Sequence, residues 1–298
     1  VRLRQCSGLF LWFWEKNMNK EGDEMEYPKF SVLMSLYIKE KAEYFDECMQ
    51  SILRQTVLPS EIVIVYDGAI SDELRKTVEK YKSLHSGWIK TVENEKNKGL
   101  GLALADGVPA CTYELIARMD TDDIAREDRF EKQLQIFMEN QDLDICGSYI
   151  IEFEGDIDDV LSKRVVPITH NDIAEYQKQR SAFNHMTVMY KKSTVLRAGN
   201  YEHCPLMEDD MLWIRMLIAG ANCANVDDYL VYARTGYAMI ERRGGWAYFK
   251  KYKNGRKKIL DTGYISKWDY YKTVGVQLFV ALVPKKIRLF VFTKMLRK

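Results

Sequence analysis

The sequence predicts an α/β chain organised around a doubly wound, mostly parallel sheet with a helical C-terminal extension, and three observations carry that prediction. Short apolar or β-branched runs alternate with amphipathic helical patterns in the order βαβαβαβ between Lys29 and Asp120. The run Ile62 to Val65 is continuously apolar, as in a strand buried on both faces. With 298 residues, 47% of them hydrophobic, the chain is long enough to bury a sizeable core.

Taken in order, "KFSVLMSLY" is a strand, and Phe45, Cys48, Met49, Ile52 and Leu53 then recur at helical spacing. "PSEIVIVYDG" is the second strand, ending at Asp67-Gly68. Ser71 caps the next helix, whose first turn carries Asp72 and Glu73 where free backbone amides favour negative charge. "WIKTVEN", "GLGLALADGV" and "ELIARMD" follow as strand, helix and strand. "DDIAREDRF" reads as a helix start capped by Asp122 or Asp123. Beyond it come strands in "DICGSYIIEFE", a polar turn at "GDIDD", a strand from Thr187 to Tyr190 and a short helix from Ser193 with a turn at Gly199-Asn200. "EDDMLWIRMLIAG" is a helix closed by Gly220, and "ANVDDYLVYAR" is a further strand.

Composition narrows the function. The net charge of +1 offers no field for nucleic acid. Six scattered cysteines, with no CxxC pair, argue against a zinc site or disulfide framework and for reduced cytosolic thiols. The apolar run Leu9 to Trp14 falls short of the roughly 20 residues of a membrane span and lacks a small-residue cleavage site. Residues 1–27 therefore read as a poorly ordered extension ahead of the patterned domain, with an interfacial anchor as the other reading. After Arg234 the sequence turns basic and aromatic.

Ligands of such sheets sit outside the carboxyl ends of the strands. Tyr37, Asp67 and Asp120 all fall there. In Asp120-Thr121-Asp122 alternate side chains point the same way, so both carboxylates can share Mg²⁺ or Mn²⁺, which prefer oxygen ligands and complete their shell with phosphates. Glu208-Asp209-Asp210 opens a helix, either as favourable first-turn anions or with one of them as general base. "GLGLAL" lacks the third glycine of a dinucleotide fingerprint, and neither GxxxxGK[ST] nor GxSxG is present. Of four histidines, His185 is the best placed for a site, against a hydrogen-bonded structural role.

The segments "FSVLMSLY", "SILRQT", "PSEIVIVYDG", "NKGLGLALADGV", "ARMDTDD", "NHMTVMY", "EDDMLWIRM" and "RRGG", in this order, resemble the family 2 glycosyltransferases of Rossmann-like GT-A fold, in the amylovoran-type exopolysaccharide branch. The resemblance runs from about Phe30 to the C-terminus. It implies that Ser35 and Tyr37 contact the nucleotide, Tyr37 by stacking on uracil, and that Asp67 accepts the uracil imide N–H. Asp120 would contact the ribose or a metal-bound water, Asp122 would ligate Mg²⁺ or Mn²⁺, and Asp209 would be the base. Glu208, His185, Arg242 and Arg243 are candidate substrate or diphosphate contacts. Because Asp210-Met211 replaces the family's usual aromatic-acidic pair, either Asp209 or Asp210 faces the acceptor.

The implied activity is inverting transfer from a nucleotide-sugar, UDP-linked, to a saccharide acceptor carried on a polyprenyl diphosphate, in exopolysaccharide, capsule or O-antigen assembly. The implied layout is a catalytic domain over residues 28–235, with its nucleotide half at 28–123 and acceptor half at 124–235. A basic, aromatic helical region over 236–298 either packs on that domain or lies on a membrane surface. The expected location is cytoplasmic, at the inner face of the membrane. A sugar-phosphate nucleotidyltransferase would need a Gly-rich, Arg-containing loop after the first strand, which "SLYIKEKAEYFDE" lacks. A non-catalytic nucleotide-sugar-binding module would lack the base.

Overall fold

Strand β1 (Phe30–Leu36) is the centre from which the sheet grows. On one side it pairs in parallel with β2 (Glu61–Tyr66), and β2 pairs in parallel with β3 (Ile89–Glu93). On the other side it pairs in parallel with β4 (Leu115–Arg118). A computed structural model describes residues 26–235 and 244–283. Expectations for the N-terminal extension and for Arg242 and Arg243 lie outside the described residues.

The helices explain why these strands are apolar on both sides. Alternate residues of β1 go to opposite faces. Val32, Met34 and Leu36 meet α1 (Ala42–Leu53) and α2 (Asp72–Leu84), whereas Leu33 meets α3 (Leu100–Ala110) on the other face. All six residues of β2 are buried, as its unbroken apolar run requires. Ser71 caps α2, its hydroxyl accepting from Leu74 N at 3.2 Å. At Gly107 of α3 a Cβ would sit 2.5 Å from Leu33 Cδ1, so the glycine lets this helix lie directly on β1.

After β4 the chain changes direction. β8 (Met189–Lys191) pairs antiparallel with β4, and β6 (Leu143–Phe153) pairs antiparallel with β8. β9 (Asn222–Arg234) lies parallel to β6. The two-residue β5 (Ile124–Ala125) is antiparallel to β9 at the edge, and β7 (Val160–Arg164) pairs antiparallel with β6. One mixed nine-stranded sheet results, in the order β3-β2-β1-β4-β8-β6-β9-β5 with β7 beside β6.

One local expectation is corrected. Neither Asp122 nor Asp123 caps a helix, because the turn they occupy leads into β5, and α4 (Arg129–Glu139) begins only at Arg129. A tertiary bond competes for the carboxylate: Asp123 Oδ1 accepts Arg234 N, at the end of β9, at 2.7 Å.

The remaining helices are α5 (His170–Gln177), α6 (Lys192–Arg197) and α7 (Glu208–Ile218). A final pair, α8 (Trp246–Asp261) and α9 (Lys267–Leu282), packs on the domain through Ile259, Ile265 and Tyr270 against Met207, Met211 and Ile214. Arg256 donates to Lys178 O at 2.6 Å and Tyr264 donates to Ala174 O at 2.7 Å. This pair therefore belongs to the folded body. Among the described residues no helix is long and apolar enough to cross a membrane, and the five described cysteines are free and buried.

Candidate active site

The parallel strands β2, β1 and β4 end side by side, and the chemistry-bearing residues follow those ends. Helices α1 and α3 cover opposite faces of the sheet, and the carboxyl ends of its strands are where such sheets take their ligands. Ser35 is the next-to-last residue of β1, and its carbonyl accepts from Thr121 Oγ1 of the acidic turn at 3.5 Å. Tyr37 follows β1 and is half-buried.

In that turn, carboxylate oxygens of Asp120, Asp122 and Asp123 lie within 4.8 Å of one another. Burial and the Asp120 charge push the Asp122 carboxyl up to about 6, and burial with both neighbouring charges pushes Asp123 well above the usual carboxylate range. Asp123 Oδ2 is buried without a hydrogen-bond partner among the described residues. An all-oxygen donor set that repels itself and retains an unsatisfied buried oxygen fits a hard divalent cation such as Mg²⁺ or Mn²⁺. Asp123 thus joins the pair legible in the sequence.

Two further residues went unread in the sequence. Glu40, in the loop between β1 and α1, has its carboxyl raised to about 7 by burial and by the charges of Asp122 and Asp120. It stands a few residues past a strand end, the one signal that could have found it. Arg118, the last residue of β4, is 1% exposed and ion-pairs through Nη2 with Asp120. Its Nε and Nη1 are buried with no hydrogen-bond partner among the described residues. A cation this well buried is costly unless the surrounding carboxylates offset the desolvation.

Asp67 has a structural duty. Its carboxylate oxygens accept the Lys98 and Gly99 amides, at 2.6 Å and 2.9 Å, so from the end of β2 it fixes the turn that leads into α3. The residue is 4% exposed. His185 also sits in structure: Nε2 lies 3.0 Å from Tyr201 Oη, and the ring packs on Trp213. Burial and the Arg118 charge hold it neutral, its pKa well below the ordinary value.

The second acidic group enters from α7. Glu208, Asp209 and Asp210 fill its first turn, where free amides favour anions. Gly101 of α3 brings this turn close, since a Cβ there would meet Glu208 Cβ at 2.8 Å and Glu202 O at 2.9 Å. Burial is the main cause that raises the Glu208 carboxyl, and Asp120 adds to it while Arg118 opposes it, so the α7 turn and the β4 turn share one crevice. Burial, then Asp210 and Glu208, raise Asp209 to about 8. Asp210 Oδ1 accepts from Gln177 Nε2 at 2.8 Å, which ties it to α5.

This geometry has relatives. The model of the glycosyl transferase family 2 matches residues 31–204, more than half of the chain. The chain is 37% identical over 268 residues to the amylovoran biosynthesis glycosyltransferase AmsE of Erwinia amylovora, covering 89% of this chain and 98% of the relative. It is 36% identical over 271 residues to the Escherichia coli UDP-Gal:alpha-D-GlcNAc-diphosphoundecaprenol beta-1,3-galactosyltransferase, covering 91% and 98%. Staphylococcus aureus TarS 1-349 in complex with UDP superposes with a TM-score of 0.57 at 16% identity, over 90% of this chain and 70% of that one. The mannosyltransferase PcManGT of Pyrobaculum calidifontis, in complex with GDP-Man and Mn²⁺, gives 0.58 at 15%, over 94% and 79%. At such identities the structures establish the GT-A fold alone. The chain is a glycosyltransferase of family 2.

Proposed function

We propose that this protein transfers a sugar, with inversion, from a UDP-sugar to a hydroxyl of a saccharide carried on a polyprenyl diphosphate. The observation that carries the reading is the meeting of two acidic turns over buried Arg118, one suited to a cation and diphosphate, the other holding a carboxylate of raised pKa. The UDP-Gal and diphosphoundecaprenol in the name of the E. coli relative supply the donor and acceptor classes.

In this reading the uracil lies between Tyr37 and the end of β2. Asp67, each of whose oxygens already accepts one amide, retains lone pairs for the imide N–H. Ser35 and Asp120 border the ribose. Asp120, Asp122 and Asp123 would hold Mg²⁺ or Mn²⁺, which when bound supplies charge neutralisation for the departing diphosphate. Asp209 takes the proton of the acceptor hydroxyl, whose oxygen attacks the anomeric carbon from the face opposite UDP. The bond from that carbon to the diphosphate oxygen breaks, and its electron pair leaves with UDP. A base with pKa near 8 has strong driving force for this transfer and is roughly a tenth ionised at pH 7. Glu208 neighbours the donor through Arg118, and His185, neutral beneath α7, holds Tyr201 in place.

The experiment is UDP release from a panel of UDP-sugars with Mn²⁺, with and without EDTA, in the presence of a lipid-linked saccharide. Metal-dependent release with one donor is the expected result. Absence of release with every donor, while UDP still binds, would leave a nucleotide-sugar-binding module instead.

A further inference from the structure

The outer surface of the last two helices carries side chains that the folded body does not use. On α9, Trp268, Tyr271, Val276, Phe279 and Leu282 are 74%, 67%, 56%, 64% and 70% exposed. At about 100° per residue they fall, with Gly275, within an arc of roughly 140°. Tyr270, Thr273 and Val280, which pack inward, occupy the opposite side. Lys272 is the one charged residue inside that arc, and its amine reaches back to donate to Gln179 Oε1 at 2.8 Å, so the rest of the stripe is apolar. Scattered exposed apolar residues are ordinary, but a stripe of this length on one helix marks a surface that something covers.

Charge identifies the occupant. On α8, Trp246 is 57% exposed, and Lys250, Lys253 and Lys257 follow it at intervals of four, three and four residues, on one exposed line. Residues 246–282 hold eight Lys and Arg against two Asp; Arg256 is buried and Lys257 pairs with Asp261, and the rest leave the helix pair positive in a chain whose net charge is only +1. The sequence after this helix pair, residues 284–298, adds six Lys and Arg and no acid. A second copy of this chain would bring the same positive charge to the same face, and like charges would oppose its docking. An anionic lipid surface matches both features: apolar side chains enter the acyl boundary, and lysines reach the headgroups.

We propose that the outer face of the α8–α9 pair docks on an anionic membrane surface, with Trp268, Tyr271, Phe279 and Leu282 inserted and Lys250, Lys253 and Lys257 at headgroup level. The inference deepens the lipid-linked acceptor reading by naming the face turned to the bilayer. Its test is independent of catalysis.

The test uses flotation of the full chain with vesicles of phosphatidylcholine alone or with about a third phosphatidylglycerol. Strong flotation is expected only with the anionic vesicles. Trp268→Ser/Phe279→Ser/Leu282→Ser and Lys250→Glu/Lys253→Glu should each lower partition at least tenfold, with an unchanged melting temperature because every altered side chain is exposed. A dye placed through Gly275→Cys, where a new side chain meets nothing within 4 Å, reports burial directly. Its emission should shift to the blue only when anionic vesicles are added. A blue emission without vesicles, from cover by residues 284–298 or by a second copy, would overturn the proposal. So would flotation that either set of substitutions leaves unchanged, or that is equal on neutral and anionic vesicles.

Discussion

Gln177 Nε2 donates a 2.8 Å hydrogen bond to Asp210 Oδ1, and that bond separates two adjacent carboxylates of the same helix turn. Asp210 is committed to α5. Asp209, one residue earlier and about 100° around the helix, accepts from backbone amides of its own turn, bonds no other helix among the described residues, and carries the raised pKa.

Substitution should therefore divide the pair. Asp209→Asn is expected to lower transfer by about 10² to 10⁴, the usual contribution of a positioned base, with the affinity for UDP unchanged. Asp210→Asn and Gln177→Ala should each cost about 1 kcal/mol of stability and leave transfer within a few-fold. Single-turnover rates and UDP titration by calorimetry separate the two, and the reverse pattern would move the base to Asp210.

The pH dependence follows from the same residue. A carboxyl whose folded pKa lies near 8 binds more protons folded than unfolded, so its contribution to stability is lost as pH rises toward and through 8. Between pH 7 and 8.5 the metal-free protein should melt at progressively lower temperature, and Asp209→Asn should reduce that slope and leave the part that the raised Asp123 and Glu40 carboxyls contribute with the same sign. The carboxylates held low by Lys and Arg, such as Asp228 and Asp128, stay ionised throughout this window and do not contribute. Transfer should rise with pH toward 8, nearly tenfold per unit at first. A melting temperature that climbs over this window would contradict the assignment.

Arg118 stands between the two acidic turns. Arg118→Met removes the guanidinium beside Asp120 and should destabilise the protein by about 1 to 3 kcal/mol in EDTA, less in Mn²⁺, where bound cation relieves the same repulsion. Arg118→Lys keeps the charge without the fork and should recover only part of the loss. Paired melting curves in EDTA and Mn²⁺ check this, and equal losses under both conditions would argue that Arg118 is uncoupled from the cluster.

Two glycines of α3 should behave differently. Gly107→Ala pushes a methyl into Leu33 and Val65 and is expected to cost about 1 to 3 kcal/mol with transfer by the folded fraction intact. Gly101→Ala presses on Glu208 and the Glu202 carbonyl, so it should displace the turn that carries Asp209 and lower kcat more than stability. Measuring kcat beside melting temperature for both variants tests this division.

The sequence by itself determined the elements, because apolar periodicity and local signals such as Ser71 before Asp72 act within a few residues. It also placed Asp120, Asp122 and Asp209 at a strand end and a helix start, positions that neighbours in the chain announce. Only the tertiary structure decided which carboxylates act together. Asp123 is turned by Arg234, 111 residues away, Asp67 is fixed by the amides of the turn that leads into α3, and Asp210 is drawn off by Gln177. Buried Arg118 and Glu40 gain their meaning from charges brought close in space. Hydrogen bonding and Coulomb forces depend on distance after folding, and distance along the chain does not report it.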